Sequence, residues 1–260
     1  MKIATYNVNS IGARLERVLE WFDDARPDVC VLQEIKCVDE KFPAEAFEDR
    51  GYNIVVHGQK TYNGVALLSK YPLDDATRGL AGDEADDQAR YLEALVCPDG
   101  AAPVRVCGIY LPNGNPAPGP KYDYKLAFMR RLKARVETLL ALEECFVVAG
   151  DWNVIPQAED AAHPKEWETD ALFRPETRGA FRAICNLGLT DALRQIHPAA
   201  TLYTFWDYQR GAWEKDDGIR IDHLMLSPRA ADRLRDAGVD RWTRGKEKPS
   251  DHAPVWAMLE

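Results

Sequence analysis

The chain lacks the marks of several protein classes. Six cysteines occur, and none lies in a Cys-x-x-Cys pair. Cys30, Cys37, Cys97, Cys107, Cys145 and Cys185 mostly sit in apolar stretches, which reads as reduced, buried thiols in a cytoplasmic protein and argues against a disulfide framework or a zinc site. No apolar run approaches the roughly 18–20 residues of a membrane span. The start, Met1 to Asn7, reads as lacking a signal peptide. No repeat recurs at a fixed period. A basic excess is also missing: 33 Lys and Arg stand against 42 Asp and Glu, a net charge of −9. That counts against a passive duplex-DNA binder. It counts less against an enzyme, since a metal site needs carboxylates and a local basic patch can still steer phosphate.

What is present suits one sizeable core. The chain has 260 residues, 46% hydrophobic and 29% charged, which is ordinary for a globular protein. Short strands are expected at Lys2 to Tyr6, Val29 to Leu32, Tyr52 to His57, Gly64 to Ser69, Tyr91 to Cys97, Val104 to Tyr110, Phe146 to Ala149, Ile219 to Leu226 and Val255 to Leu259. Helical spacing covers Ile11 to Phe22, with Ser10 as N-cap, then Tyr122 to Leu142 and about Arg178 to Leu187. Loops are expected around Asp83 to Asp87 and over Asn113 to Pro120. The pattern fits two sheets packed face to face with helices outside, or a doubly wound sheet. Periodicity does not separate them.

Polar residues stand at or near the ends of these strands: Asn7, Glu34, Tyr110, Asp151 and Asn153 end or follow one, Asp222 lies within one, and Asp251 and His252 precede the last. A strand end is a rigid mount that solvent can reach. Oxygen-bearing side chains with few histidines suit a hard cation such as Mg²⁺ or Mn²⁺. Glu34 is the best ligand candidate, with Asp251, Asn7 or Asp151 nearby. In Asp151-Trp152-Asn153 the two polar side chains share one side of an extended segment. One can act as base on water while the other donates to a phosphate oxygen. The plainer alternative is an Asx-turn. Asp222 could orient His252, whereas His223 reads as a satisfied surface histidine, as do His57, His163 and His197.

Six blocks then occur in order: Thr5-Tyr6-Asn7-Val8-Asn9, Leu32-Gln33-Glu34-Ile35-Lys36, Gly108 to Gly114 (GIYLPNG), Gly150-Asp151-Trp152-Asn153-Val154, Arg220-Ile221-Asp222-His223, and Ser250 to Val255 (SDHAPV). Together they resemble the exonuclease III family of apurinic/apyrimidinic (AP) endonucleases, within the endonuclease/exonuclease/phosphatase superfamily. The resemblance implies an α/β fold, a four-layered α/β sandwich of two packed mixed β-sheets flanked by helices, with residues 1–260 forming one catalytic domain. It implies a Mg²⁺-dependent hydrolase, Mn²⁺ able to substitute, that cuts 5′ to an abasic site in double-stranded DNA. Trimming from the 3′ end and removal of 3′ blocking groups accompany this. A monomer acting without a membrane is expected.

Carried over by position, Glu34 is the main metal ligand, within a metal-facing set of Asn7, Asp151, Asn153, Asp251 and His252. Asp151 deprotonates water, Asn153 and Asn7 hold the phosphate, His252 paired with Asp222 stabilises charge, and Tyr110 sits at the phosphate. Lys121, Lys125, Arg130, Arg131 and Lys133 form a locally basic stretch. Lys121 and Arg90 are the expected phosphate contacts, with Asn113 beside them, while Arg130 to Lys133 read as a solvated face. Phe205, Trp206 and Ile219 match the place of an apolar pocket for a flipped abasic sugar; core aromatics are the alternative. Gly12 stands where relatives often carry Arg. Two other readings are open: a phosphatase acting on phospholipid or inositol phosphate, and a non-enzymatic DNA-binding descendant. The second predicts a missing catalytic carboxylate, and none is missing.

Overall fold

The structure is a computed structural model describing residues 1–260. Twelve strands form two six-stranded sheets. The first sheet contains β1 (Lys2–Asn7), β2 (Val29–Gln33), β3 (Asn53–His57), β4 (Val65–Ser69), β11 (Leu234–Val239) and β12 (Val255–Leu259), in the order β11-β12-β1-β2-β4-β3. The second contains β5 (Leu73–Arg78), β6 (Tyr91–Val96), β7 (Val104–Tyr110), β8 (Phe146–Asp151), β9 (Thr190–Asp191) and β10 (Asp222–Leu226), in the order β5-β6-β7-β8-β10-β9. The longer helices are α1 (Ile11–Ala25), α3 (Pro120–Ala141) and α4 (Pro175–Cys185). Short helices α2 (Ala44–Glu48), α5 (Ala192–Ile196), α6 (Ala212–Lys215) and α7 (Pro228–Ala231) complete the set. No helix is long and apolar enough to cross a membrane.

The layers follow from side-chain alternation along the strands. In β1 and β2, Ile3, Val29 and Val31 face the core between the sheets, while Ala4, Tyr6, Cys30 and Leu32 face α1. In β7 and β8, Val104, Val106, Val147 and Ala149 face that same inter-sheet core. Cys107, Ile109, Phe146 and Val148 face α3 and α4. A strand covered on both faces must be apolar throughout, which is why these runs read as continuous. The result is the expected four-layered α/β sandwich. Helix α1 starts where the Ser10 hydroxyl accepts from Ala13 N–H, and it buries Ile11, Val18, Trp21 and Phe22. Helix α3 starts with Pro120 at its first position, where no N–H partner is needed.

Each sheet has one parallel pair at its centre: β1 with β2, and β7 with β8. A parallel pair needs a crossover, and α1 and α3 supply the two. The C-terminal ends of both pairs therefore open at the same end of the sandwich, carrying Asn7, Glu34, Tyr110 and Asp151. Strand β10 runs antiparallel to β8, with Asp222 opposite Asp151. Strand β12 runs antiparallel to β1, with Val255 opposite Thr5. Their N-terminal ends thus bring Asp222, Asp251 and His252 to that end too. Close approach of β7 and β8 fixes Gly150: a Cβ there would meet the Ile109 carbonyl oxygen at 2.0 Å.

Candidate active site

One buried amide joins the two sheets. Asn7 Nδ2 donates to Glu34 Oε1 at 2.8 Å and to Asp151 Oδ2 at 3.0 Å. Burial would raise the Glu34 pKa, but hydrogen bonds from Asn7 and Lys36 outweigh it and hold the carboxyl below its ordinary range. Lys36 Nζ lies 2.8 Å from Glu34 Oε2 and donates to Asn9 Oδ1 at 2.6 Å. Asn9 Nδ2 in turn donates to Asp251 Oδ1 at 3.1 Å. Asn9, Glu34, Lys36 and Asn153 all have positive φ. Backbone strain of this kind persists where surrounding contacts over-determine it.

On the other side of Asp151 lies a His–Asp pair. His252 Nδ1 donates to Asp222 Oδ2 at 2.8 Å, and Thr204 Oγ1 donates to the same oxygen at 2.7 Å. His252 Nε2 faces Asp151 Oδ2 at 3.7 Å. Burial disfavours charge on this imidazole, yet the Asp222 and Asp151 carboxylates prevail and push its pKa up. Asp222 Oδ1 is buried without a partner, so the carboxylate depends on the imidazolium for compensation. Burial, reinforced by Asp222, raises the pKa of Asp151 against the opposing pull of His252. A carboxylate tuned toward neutrality is a better general base than an ordinary Asp.

The Asp151-Trp152-Asn153 segment leaves β8 in a tight turn. Asn153 N–H donates to Asp151 Oδ1 at 2.9 Å, so the Asx-type contact and the site coexist. Asn153 Nδ2 donates to the Leu111 carbonyl at 2.9 Å, and Asn113 Nδ2 reaches Asn153 Oδ1 at 3.3 Å. Tyr110 ends β7; its pKa is raised by burial and by the Glu34 and Asp151 charges. The Arg90 guanidinium stacks 4.7 Å from the Tyr110 ring centroid.

A divalent cation fits part of the expected ligand set. Glu34 is ionised and faced by the Lys36 ammonium, which supplies cationic charge between Glu34 and Asn9, one residue contact from Asp251. Ligand atoms of Asp151, Asp222 and His252 also lie within 4.8 Å of one another and could hold a metal. Without metal, however, the His252 ring is held protonated by Asp222 and Asp151, and a metal there would have to displace that proton. His252 is therefore better placed as a charge donor than as the expected ligand. The Asn153 amide is anchored beside this cluster by one contact at each end, to Leu111 and to Asn113, which leaves a second N–H and a second oxygen lone pair free.

Other expectations fare differently. Lys121 and Asn113 are exposed, and Arg90 is half-buried beside Tyr110. Phe205 and Ile219 line a hollow of about 310 Å³ together with Trp167, and the Phe205 ring lies 5.0 Å from the His252 ring. Trp206 does not line it. It is fully buried, donates to Asp216 Oδ1 at 3.0 Å, and packs edge-on against Trp213. It is a core aromatic. Lys125, expected within a locally basic stretch, is completely buried, and so is His223, which was expected on the surface. Asn9, Lys36 and Thr204 join the site as well; Asn9 and Lys36 lie inside two of the six sequence blocks, and Thr204 lies in none.

A profile of the endonuclease/exonuclease/phosphatase family matches residues 4–252. An exodeoxyribonuclease III of Haemophilus influenzae is 34% identical over the whole of both chains. An AP endonuclease from Archaeoglobus fulgidus superposes with a TM-score of 0.94 at 36% identity, covering 100% of this chain and 99% of that one. The 3′-5′ exonuclease NExo of Neisseria meningitidis superposes with a TM-score of 0.95 at 40% identity, covering all of both chains. With its clustered carboxylates, its His–Asp pair and its four-layered frame all in place, the chain belongs to the endonuclease/exonuclease/phosphatase family.

Proposed function

We propose that this chain is a DNA-repair hydrolase that uses Mg²⁺ to cleave the phosphodiester 5′ to an abasic site in duplex DNA. It also trims 3′ ends and removes 3′ blocking groups. The observation that carries this reading is the convergence on Asp151: Asn7 links it to Glu34 on one side, and His252 with Asp222 flanks it on the other.

Glu34 and Asp251 would hold the cation, with Asn7 orienting Glu34. When bound, the metal supplies charge neutralisation at the phosphate. Asp151 takes a proton from the attacking water. The water oxygen forms a bond to phosphorus, the P–O3′ bond of the upstream nucleotide breaks, and the leaving O3′ takes a proton from solvent to become the 3′-hydroxyl. Negative charge grows on the non-bridging oxygens, and the His252 imidazolium donates to it. Asp222 keeps that imidazole protonated and fixed in orientation. Asn153 presents its amide from the turn beyond Asp151, and Tyr110 stands at the phosphate beside Arg90. Lys121, Arg90 and Asn113 contact the DNA backbone, and Phe205 with Ile219 receives a base-free sugar. On this reading the aromatic wall of that hollow meets the exposed face of a sugar that carries no base. Residues 1–260 act as one catalytic domain, a monomer in the cytoplasm; the shared core between the sheets supports the single domain.

Side-by-side incision of abasic, 3′-blocked and undamaged duplexes, with and without Mg²⁺, tests the reading. Magnesium-dependent cutting of the abasic duplex is expected. Absence of any magnesium-dependent cut across a range of salt concentrations overturns it.

A further inference from the structure

The backbone of the Asp151–Val154 segment is gripped from behind by two buried side chains. Asn153 has φ of +47°, in the left-handed region that a non-glycine residue occupies at a cost. The carbonyls of Asn153 and Val154, which follow this strained φ, are each captured. Lys125 Nζ donates to the Asn153 carbonyl at 2.6 Å, and His223 Nε2 donates to the Val154 carbonyl at 3.0 Å.

Lys125 comes from α3. Its remaining ammonium protons go to the carbonyls of Pro112 and Asn113, each at 3.1 Å. Three hydrogen bonds to carbonyls therefore tie the loop after Tyr110 to the turn after Asp151 and match the three protons of an ammonium, against burial that pulls the Lys125 pKa down to about 7. His223 comes from β10. It follows Asp222 directly, so strand alternation turns it to the opposite face of the sheet. Arg220 Nη1 lies 3.0 Å from His223 Nδ1. A guanidinium can only donate, so Nδ1 accepts and the ring proton resides on Nε2. Arg220 is itself fixed by Asp160 at 2.7 Å and Asp191 at 2.6 Å. The Trp152 indole donates to the His223 carbonyl at 3.2 Å, and the Phe181 ring packs 5.3 Å from the imidazole. The ring thus has one tautomer and one orientation.

We propose that Lys125 and His223 are positioning residues for hydrolysis, holding the Asn153–Val154 backbone so that Asp151 and Asn153 stand in working geometry. The path is short. Asn153 N–H donates to Asp151 Oδ1, so a turn that relaxes releases one oxygen of the catalytic carboxylate. Loss of either donor leaves a buried carbonyl unpaired, and the left-handed residue then gains by rotating away. Neither side chain touches the reacting phosphate. The inference rests on the hydrolase reading above.

The test uses the full chain carrying His223→Leu, His223→Gln, Lys125→Met or Lys125→Gln. Magnesium-dependent incision, duplex affinity without metal, circular dichroism and crystal structures are compared with wild type. Expected for His223→Leu and Lys125→Met is a kcat loss of about 100-fold, the scale of an ångström-sized misplacement. KM and metal-free affinity should change by less than about threefold, because ground-state binding is untouched. The amides of His223→Gln and Lys125→Gln can still donate, and each should recover about tenfold in kcat over its apolar counterpart. In the apolar variants Asn153 should leave positive φ. Wild-type kcat per folded molecule, or Gln variants no better than the apolar ones, overturns the proposal. If wild type cuts no duplex, the hydrolase reading fails, and the crystal structures decide the positioning claim alone. A relaxed Asn153 turn sustains it; an unchanged turn ends it.

Discussion

His252 and Asp222 form a buried pair, Nδ1 to Oδ2 at 2.8 Å, in which the second carboxylate oxygen has no partner. The ring is pushed to a pKa of about 10, burial opposing and the Asp222 and Asp151 charges prevailing. Asp222→Asn removes the larger of those charges. In metal-free protein, an NMR titration should find the His252 pKa lowered toward the ordinary imidazole value. Incision should fall by about 10²- to 10⁴-fold, mostly in kcat, as for loss of a residue that orients and charges a catalytic His. A variant whose imidazole titrates as in wild type would break the link.

Glu34→Gln keeps the shape and the hydrogen bond from Asn7 but removes the charge. The variant should need far more Mg²⁺ for half-maximal incision while binding duplex nearly as wild type does. The carboxyl is already ionised well into the acidic range, so the neutral amide mimics no state populated at neutral pH. Metal titration of activity, beside a binding assay in chelator, checks both halves. Equal magnesium requirement in the two proteins would remove Glu34 from the ligand set.

The parts of the fold legible in the sequence were those buried on both sides. The central strands read as apolar runs because layers cover both their faces. Strands β5, β9 and β11 do not show in the sequence. All three lie at sheet edges, β9 is two residues long, and β5, Leu-Asp-Asp-Ala-Thr-Arg, is exposed over nearly its whole length. An edge strand that carries charge looks like a loop from composition. Asp222 was expected within a strand from Ile219; it is instead the first residue of β10, and Ile219 forms isolated bridges to Ala161 and Phe205. At the site, the acidic residues at strand ends were legible because their types and positions carry the chemistry. The Asn9–Asp251 contact spans 242 residues and has no local signature. Phase was the other gap. Phe205 and Trp206 are adjacent, and only the structure decides which one faces the hollow. For Lys125 a signal existed: it sits on the stripe Tyr122, Lys125, Phe128, Leu132, Val136, whose other members are all buried.

His223 should make stability depend on pH. Burial and the neighbouring guanidinium lower its pKa from 6.5 to about 4. Below pH 6.5 the unfolded chain binds a proton that the folded chain refuses, so protonation pulls toward unfolding as pH falls from 6.5 to 4. The loss amounts to about 3 kcal/mol by pH 4, at 1.36 kcal/mol per pH unit. His223→Gln carries no such group. Urea melts of both proteins at pH 7 and pH 4.5 should show the wild type losing more stability than the variant on acidification. Parallel losses would mean that His223 is not held neutral.

A second buried charge cluster is separate from the site. Glu93 is 1% exposed and accepts from Arg135, Arg105 and Tyr91. It ties β6, β7 and α3 together on the outer face of the second sheet. Glu93→Ala leaves two guanidiniums without their shared acid and should cost about 3–5 kcal/mol of stability. Incision per folded molecule should be unchanged. Thermal melts with active-site titration distinguish the two effects, and a variant with wild-type melting would show that the cluster contributes little.

The hollow beside the site gives a test of lesion recognition that spares the chemistry. Phe205 is a poor probe, because its ring packs against His252 and its loss would disturb catalysis directly. Trp167 lines the same hollow and packs against the apolar cluster that contains Ile155 and Ile219. If the hollow receives a base-free sugar, Trp167→Ala removes apolar wall that only the flipped sugar meets. An apolar pocket contact of this size is worth roughly 10- to 200-fold in discrimination. Incision at an abasic site should therefore fall by at least about tenfold, while removal of a 3′ phosphate, which needs no flipped internal sugar, should stay near wild type. The ratio of the two rates on matched duplexes is the measurement. Equal loss in both would mean that Trp167 supports the site as a whole and that the hollow does not select the lesion.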